Sequence, residues 1–248
     1  MADMSGGVLA TSSKKKECTL RMGSSITSQG GIARVGPFVR VEETGQLCFL
    51  TTKPSLIEGM RSGVKVNHIV GNEVYPLGTI LIPAGLEGDV TLVSANPKYV
   101  PKDIGQIYRN RSDFYGVSAL TFEEMNGEDQ SGTIQLVVFA EEVRMSEARI
   151  YPCPSHYGGS HESICLVEML PPTKDFFRAG DSGSAVFTID EHGFLHCVGL
   201  LMGKTKGDPE LFKIMKINAC MHHFKEQHGY TIQMIETNFV STCISILV

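Results

Sequence analysis

With 248 residues the chain is long enough to bury a sizeable core, as one large domain or as two smaller lobes. Hydrophobic residues make up 42% of the sequence and the mean hydropathy is zero, which is typical of a globular protein and excludes a disordered one. The formal net charge of −5 argues against a nucleic-acid partner, and no run of 18 or more apolar residues would span a membrane.

The seven cysteines are odd in number and scattered along the chain. Several lie in apolar runs, such as Cys48 in Leu-Cys-Phe-Leu and Cys197 in Leu-His-Cys-Val. The simplest interpretation is buried free thiols in a reducing compartment, which predicts a cytoplasmic protein. A secreted disulfide framework is the alternative.

The first half of the chain predicts a flexible tail followed by short strands. Residues 1–17 are small, polar and basic, and residues 23–31 are rich in glycine and serine. Alternation of apolar and polar residues or short apolar runs predict strands over 19–22, 36–41, 46–52, 64–70, 78–82 and 89–93. Residues 96–113 contain two prolines, several charges and little apolar periodicity, which indicates a connection between lobes.

The second half repeats this pattern. Strands are predicted over 117–120, 133–139, 163–167, 184–189, 195–202 and 211–217. A single helix is predicted over 218–227, with Asn218 as a possible N-cap and Gly229 ending it. Short strands separated by glycine, proline and asparagine turns predict an all-β barrel or sandwich.

The most informative stretch is Arg178-Ala-Gly-Asp-Ser-Gly-Ser-Ala-Val-Phe187. Glycines on both sides of Asp181-Ser182 let the backbone turn sharply. The amides of Gly180 and Ser182 can then point into one small space and hold a developing oxyanion, with the Ser182 hydroxyl beside it. The alternative is an ordinary tight turn between two strands.

This loop, with the many short strands and the terminal helix, resembles trypsin-like (chymotrypsin-fold) serine proteases over about residues 20–230. The resemblance implies an all-β fold of two six-stranded barrels with a short C-terminal helix. It implies an N-terminal barrel over 18–100, a connection over 101–116, a second barrel over 117–217, and a helix and tail over 218–248.

The resemblance also implies a Ser-His-Asp triad. Ser182 matches the nucleophile, and Asp89 in Glu-Gly-Asp-Val-Thr-Leu-Val looks like the family's acid, although an exposed turn aspartate is the alternative. The family's histidine follows a strand ending in Leu-Thr-Ala-Ala-His, and here Leu-Thr-Thr-Lys-Pro puts Pro54 in that place. Proline has no titratable group. The first histidine of the chain, His68, lies fourteen positions further on and would serve only under a different alignment.

The residue before the serine has a further role in the zymogen-activated members of the family, where it pairs with a new N-terminus. No Arg-Ile-Val-Gly-Gly cleavage site occurs here, so Asp181 is expected to pair internally or to cap the loop. The specificity pocket that the resemblance implies would be lined by Phe176, Leu201, Met202 and Gly203. Such a pocket is expected to be apolar or blocked, and the alternative is that Phe176 and its neighbour are simply core.

One further group of residues has the side chains of metal ligands: Cys153, His156, His161 and Cys165. Their spacing is unusual for zinc, and we predict no metal and no other cofactor. Phosphate-binding and dinucleotide-binding motifs are absent from the sequence.

Taken with the missing histidine, the resemblance predicts a cytoplasmic pseudoprotease. Such a domain would be a binding or regulatory module for a protein or peptide, and similar intracellular domains often belong to larger multidomain chains. The alternative is an active serine endopeptidase that uses Ser182, Asp89 and a histidine such as His68. A virus-type chymotrypsin-like protease is a third interpretation, which would also need a histidine.

Overall fold

A computed structural model of the chain describes eleven segments, which are residues 20–28, 31–52, 61–82, 90–98, 116–119, 133–152, 163–171, 176–189, 194–205, 211–235 and 237–238. Within them, sixteen strands form two eight-stranded sheets, and there is one helix. In this part of the chain no helix is both long and apolar enough to cross a membrane.

The first sheet is built mainly from the N-terminal half of the chain. Its strands are β1 (Ser25–Ser28), β2 (Gly31–Arg34), β3 (Phe38–Val41), β4 (Leu47–Thr52), β5 (Lys65–Val70), β6 (Glu73–Ile82), β7 (Val90–Ser94) and β15 (Ile232–Met234). They lie in the order β15-β3-β4-β7-β6-β5-β1-β2. The end of β2 returns to β4, where the Gly36 N–H donates to the Leu50 carbonyl at 2.8 Å and the Thr51 hydroxyl donates to the Arg34 carbonyl at 2.8 Å. The sheet is therefore barrel-like.

The second sheet is built from the C-terminal half. Its strands are β8 (Gly116–Ala119), β9 (Ile134–Phe139), β10 (Val143–Pro152), β11 (Ile164–Met169), β12 (Ala185–Ile189), β13 (Phe194–Lys204), β14 (Leu211–Lys216) and β16 (Thr237–Asn238). Six of them run in the order β12-β9-β10-β11-β14-β13, and β13 also pairs with β12 and closes the ring. The predicted all-β architecture of two barrels with a short C-terminal helix is confirmed.

Two hydrophobic clusters share the core. The first fills the N-terminal barrel and continues to the helix, and it includes Leu50, Phe187 and Phe224. The second lies within the C-terminal barrel and includes Val138 and Val186. Because successive side chains of a strand point to opposite faces, Val186 joins the second cluster while Phe187 joins the first.

Helix α1 (Ile217–His228) and the residues after it connect both barrels. Ile217, Cys220 and Phe224, which share one face at helical spacing, are its buried side chains. Gly229 ends the helix in the left-handed conformation at φ 69°, as the sequence predicts. The chain then adds β15 to β3 of the first sheet and β16 to β8 of the second.

Two local predictions are wrong, the strand over 19–22 and the N-cap of the helix, and one hairpin was not predicted. Leu20–Met22 do not form a strand, because Gly23 at φ 81° and a bond from the Ser24 N–H to the Arg21 carbonyl make a turn there. The glycine- and serine-rich stretch instead contains the β1–β2 hairpin. The N-cap of the helix is Lys216 and not Asn218, and no side chain caps it.

Candidate functional site

The loop from Arg178 to Ser184 is held in a tight conformation that its glycines allow. Gly180 and Gly183 both have φ 90°, which residues with a Cβ rarely adopt. The Asp181 N–H donates to the Arg178 carbonyl at 3.1 Å, and the Ser184 N–H donates to the Asp181 carbonyl at 2.9 Å. The loop is therefore a compact turn directly before β12.

The loop lies at the contact between the two barrels. On the side of the second barrel, the Gly183 N–H donates to the Leu201 carbonyl at 2.8 Å. On the side of the first, the Arg34 N–H donates to the Ser182 carbonyl at 3.0 Å. A Cβ on Gly183 would lie 2.5 Å from the Thr51 hydroxyl oxygen and 2.7 Å from the Arg34 carbonyl oxygen, so only glycine permits this approach.

The side chain of Arg34 reinforces the contact between the barrels. Its Nε donates to the Gly180 carbonyl at 3.0 Å, and Nη1 donates to the Gly23 carbonyl at 3.3 Å and to the Ser25 hydroxyl. Nη2 forms an ion pair with Glu141 at 3.3 Å, in the turn between β9 and β10. Arg34 is thus held by both barrels and fixes the Gly180 carbonyl.

Asp181 is buried, and one oxygen of its carboxylate, Oδ2, has two partners. Its carboxylate forms an ion pair with Arg144 of β10 and accepts the Arg178 N–H at 2.7 Å. The side chains of Asp181 and Arg144 are only 4% and 13% exposed. The expectation that Asp181 pairs internally or caps the loop is confirmed, because it does both.

Arg144 is not satisfied by this pair alone. Its Nε and Nη1 atoms are buried and have no hydrogen-bond partner within the described residues. Arg144 lies opposite Val138, which in turn lies opposite Val186, so the three residues share the face of the second hydrophobic cluster. The guanidinium group therefore enters an apolar barrel interior to reach Asp181.

The hydroxyl of Ser182 donates to the main-chain carbonyl of Met202 at 3.2 Å. In the part of the chain that the structure describes, this is its only hydrogen bond. The N–H groups of Gly180 and Ser182 donate to no described acceptor, and Gly180 is exposed. The predicted oxyanion site at these two N–H groups stays a prediction.

Pro54 and Asp89 lie outside the described residues, but the strands next to them are described. Thr52, the last residue of β4, is the cross-strand partner of Val90, the first residue of β7. The chain therefore leaves β4 toward Pro54 beside the point where it enters β7 from Asp89.

His68 lies on β5, opposite Ile26 of β1. Its side chain is buried and shares the face of Ile26 and Val66, which belong to the first core cluster. Burial, and secondarily the cationic Arg21, lower the pKa of His68 below its ordinary value of 6.5. No hydrogen bond joins it to Ser182.

The four residues expected to line a pocket fall into two groups. Leu201, Met202 and Gly203 are on β13 beside the loop, and a Cβ on Gly203 would lie 3.9 Å from the Ser182 hydroxyl oxygen. Phe176 is buried and packs against Phe177, with ring centroids 4.8 Å apart.

No metal centre is found among the described ranges, where no group of three or more His, Cys, Asp or Glu side chains lies together. Cys165 is buried in β11 and its thiol donates to the Ile214 carbonyl at 3.7 Å. Cys153, His156 and His161 lie outside the described residues.

Arg34 and Arg144 are the site residues that the sequence analysis missed. Each stands within a strand where an exposed, solvated arginine would be ordinary. Their partners are 146 and 37 positions away along the chain, so no local pattern signals the contacts.

The two barrels, the loop at their contact and the C-terminal helix define a trypsin/chymotrypsin-like two-barrel fold. Thermobifida fusca protease A is similar to this chain with a TM-score of 0.52 and 14% identity, over 88% of this chain and 100% of that one. A glutamic-acid-specific serine protease, described as using a histidine triad in substrate binding, gives a TM-score of 0.51 and 14% identity over 86% and 100%. Nocardiopsis protease gives a TM-score of 0.50 and 13% identity, over 87% of this chain and 98% of that one.

At such low identity these similarities show the fold alone. No protein-family model matches the chain, and no curated protein sequence matches it either.

Proposed function

We propose that this chain is a catalytically deficient trypsin-like domain that acts as a binding or regulatory module for a protein or peptide. The observation that carries the proposal is the bond from the Ser182 hydroxyl to the Met202 carbonyl. A main-chain carbonyl accepts a hydrogen bond but is too weak a base to take the proton. The hydroxyl therefore stays protonated and is a poor nucleophile.

The surroundings of the loop support this assignment. Under the resemblance, Pro54 takes the position of the base and Asp89 that of the acid. Pro54 follows Thr52 by two residues and Asp89 directly precedes Val90, and Thr52 and Val90 are paired. The neighbouring Thr51 packs against Gly183 of the loop. If the resemblance holds at position 54, the base is missing there, because proline has no titratable group.

The position of His68 supports deficiency over the alternative of an active endopeptidase. In that alternative the imidazole must either lie within hydrogen-bond distance of the Ser182 hydroxyl, about 3 Å, or be connected to it by one bridging water. His68 faces the interior of the first barrel instead, with Ile26 as its neighbour across the strands. To reach Ser182 it would have to leave that core.

Binding remains chemically reasonable without catalysis. The N–H groups of Gly180 and Ser182, which have no acceptor among the described residues, would donate to a carbonyl oxygen of a peptide chain. The loop also forms part of the contact between the barrels through Arg34 and Gly183. The protein would therefore keep this loop for its fold and for binding even when it cleaves nothing.

The test is covalent labelling of the purified protein with a fluorophosphonate probe, alongside an active trypsin-like protease. Loss of one triad member typically lowers the turnover rate by a factor on the order of 10⁴–10⁶. We expect the wild type to label no more than Ser182→Ala, and to cleave neither casein nor a peptide library. Stoichiometric labelling that Ser182→Ala abolishes would refute the proposal. If His68→Ala then also abolished it while the exposed-helix control His222→Ala did not, the active alternative would hold.

A further inference from the structure

Two histidines lie together near the end of helix α1, outside the loop that carries Ser182. The ring centroids of His223 and His228 are 5.7 Å apart, and the ring planes meet at 72°, so the imidazoles are not stacked face to face. His228 is exposed and His223 is half-buried. Both imidazoles are therefore accessible to a small solute.

Phe224 and the end of the helix keep the two rings in place. The side chain of Phe224 is buried in the first hydrophobic cluster, and its ring centroid lies 5.9 Å from that of His223 and 6.4 Å from that of His228. The backbone is fixed as well, because the Gly229 N–H donates to the Lys225 carbonyl at 3.0 Å. The pair is thus partly pre-organised, which lowers the entropic cost of binding an ion.

The separation of the rings fits an ion held between two imidazoles. Zinc binds imidazole nitrogen at about 2.0–2.1 Å with roughly tetrahedral angles, which places the two ring centroids about 5 Å apart. The observed distance of 5.7 Å is within about 1 Å of that value. Because the side chain of His228 is exposed, a small change in its torsions closes this difference without movement of the backbone.

The electrostatics of the helix end also favour a cation. The C-terminal end of a helix carries a partial negative charge, and His228 is the last residue of α1. Desolvation, and secondarily the neighbouring His223, lower the pKa of His228 below its ordinary value of 6.5. At pH 7 the imidazole of His228 is therefore mostly neutral and keeps the lone pair that binds a metal. In the same turn the charges of Lys225 and Glu226, both exposed, oppose and favour a bound cation and offset each other.

We propose that His223 and His228 form a binding site for a divalent transition-metal ion of the zinc, copper and nickel class, with water at the remaining positions. Imidazole suits these ions, whereas Mg²⁺ and Ca²⁺ prefer oxygen ligands. No third His, Cys, Asp or Glu side chain joins the pair among the described residues. The site thus has half the ligands of a structural zinc centre, so we expect a Kd for Zn²⁺ of about 10⁻⁶–10⁻⁴ M.

A bound ion would hold together the end of helix α1. Gly229 ends the helix directly after His228, and the chain then continues into β15 of the first sheet. Helix ends fray readily, so an ion held by both rings would restrict the point from which the chain enters β15. The sequence-based prediction of no metal rested on the unusual spacing of four other residues, Cys153, His156, His161 and Cys165.

The test is a Zn²⁺ titration of the full chain at about pH 7.5, where imidazoles are neutral, followed by NMR. Binding is read from the imidazole C–H resonances, because zinc taken up elsewhere in the chain then does not interfere. In the wild type we expect the resonances of His223 and His228 to shift together and to saturate below about 1 mM Zn²⁺. Mg²⁺ should shift neither of them.

His223→Gln and His228→Gln each remove one ligand and should raise the Kd at the remaining histidine about tenfold or more, since loss even of a group that only supports a ligand costs that much. His222→Gln is the matched control, because His222 is an exposed histidine of the same helix, roughly 100° around it from His223. Its Kd should equal that of the wild type. Zn²⁺ should also slow amide hydrogen exchange at Gly229 in the wild type and in His222→Gln, but not in His228→Gln.

Two results would overturn the proposal. One is the absence of any shift at His223 and His228 up to about 1 mM Zn²⁺. The other is a His223→Gln variant whose His228 binds as tightly as in the wild type, because a single imidazole would then suffice and no shared site would exist. His228→Gln changes an exposed side chain and provides the same comparison if His223→Gln does not fold. Neither outcome depends on whether Ser182 labels with a fluorophosphonate.

Discussion

The buried ion pair between Arg144 and Asp181 allows a quantitative test of what holds the loop. Arg144→Met removes the guanidinium group and keeps a long flexible side chain. The Asp181 carboxylate, 4% exposed, would then retain only the Arg178 N–H as a described partner. Removing one member of a buried pair typically costs about 3–5 kcal/mol, because the other charge is left uncompensated.

The lower end of that range applies here. Arg144 already buries two donor atoms, Nε and Nη1, that have no partner in the described part of the chain, and their removal offsets part of the loss. We therefore expect Arg144→Met to lower the free energy of unfolding by about 3 kcal/mol. Adding Asp181→Asn to this variant removes the uncompensated charge and should recover about 1–2 kcal/mol.

A neighbouring ion pair provides the control. Arg178 and Glu142 lie 3.8 Å apart with side chains 58% and 72% exposed. Exposed pairs contribute little, so Arg178→Met should cost no more than about 1 kcal/mol. Urea unfolding at neutral pH measures all four proteins, with equal m-values required for the comparison. If Arg144→Met and Arg178→Met destabilise the protein equally, the buried pair does not stabilise the loop as argued here.

Three further predictions follow from buried groups. Burial lowers the pKa of His68 in the folded protein, so below pH 6.5 the unfolded chain binds a proton at His68 more readily than the folded chain does. The neutral His68 therefore stabilises the fold at neutral pH, and this stabilisation is lost as the pH falls. His68→Gln should therefore lose less stability than the wild type between pH 7 and pH 5. If the urea midpoint falls by the same amount in both proteins over this range, the prediction is wrong. Thr91→Val removes a buried hydroxyl that has no hydrogen-bond partner among the described residues, so the free energy of unfolding should stay unchanged or rise by about 1 kcal/mol. Thiol titration of denatured, unreduced protein should detect close to all seven cysteines as free thiols, and recovery of a single thiol would indicate three disulfides. In the native protein the thiols of Cys48 and Cys197 should react slowly, because burial raises their pKa to about 12.

Strand patterning was sufficient to predict most of the fold. β4, β9 and β12 are apolar runs bounded by turn residues, and they form strands close to the predicted bounds. The β1–β2 hairpin was missed because serine, threonine and glycine supply most of its residues. Its stability comes from pairing with β5 and from the buried Ile26, neither of which is a local property of the sequence.

The helix start shows the same limit. Asn218 is a good N-cap by type, yet the helix begins one residue before it, at Ile217. Ile217 is buried in the first cluster, and Lys216 before it still belongs to β14. Packing of the strand end thus fixes the boundary, and the capping preference of Asn218 does not decide it.

In the site, the motif predicted the turn but not what supports it. Glycines and a serine in Gly-Asp-Ser-Gly have a recognisable local signature, and the loop has the conformation that they suggest. The contacts of Arg34 and Arg144 arise only when distant strands meet, so one sequence cannot reveal them. The roles of Pro54, Asp89 and His68 stay predictions until the labelling experiment is done.

The path of the chain after helix α1 has a consequence for biosynthesis. β15, the last strand to join the first sheet, is made only after the six strands that close the second ring have been translated. Until residue 234 leaves the ribosome, the outer edge of β3 lacks its final partner and exposes main-chain groups that can pair with another chain. The N-terminal barrel is thus synthesised first but completed late. A nascent chain that pauses in its second half would expose the unpaired edge of β3, which favours aggregation or binding by a chaperone.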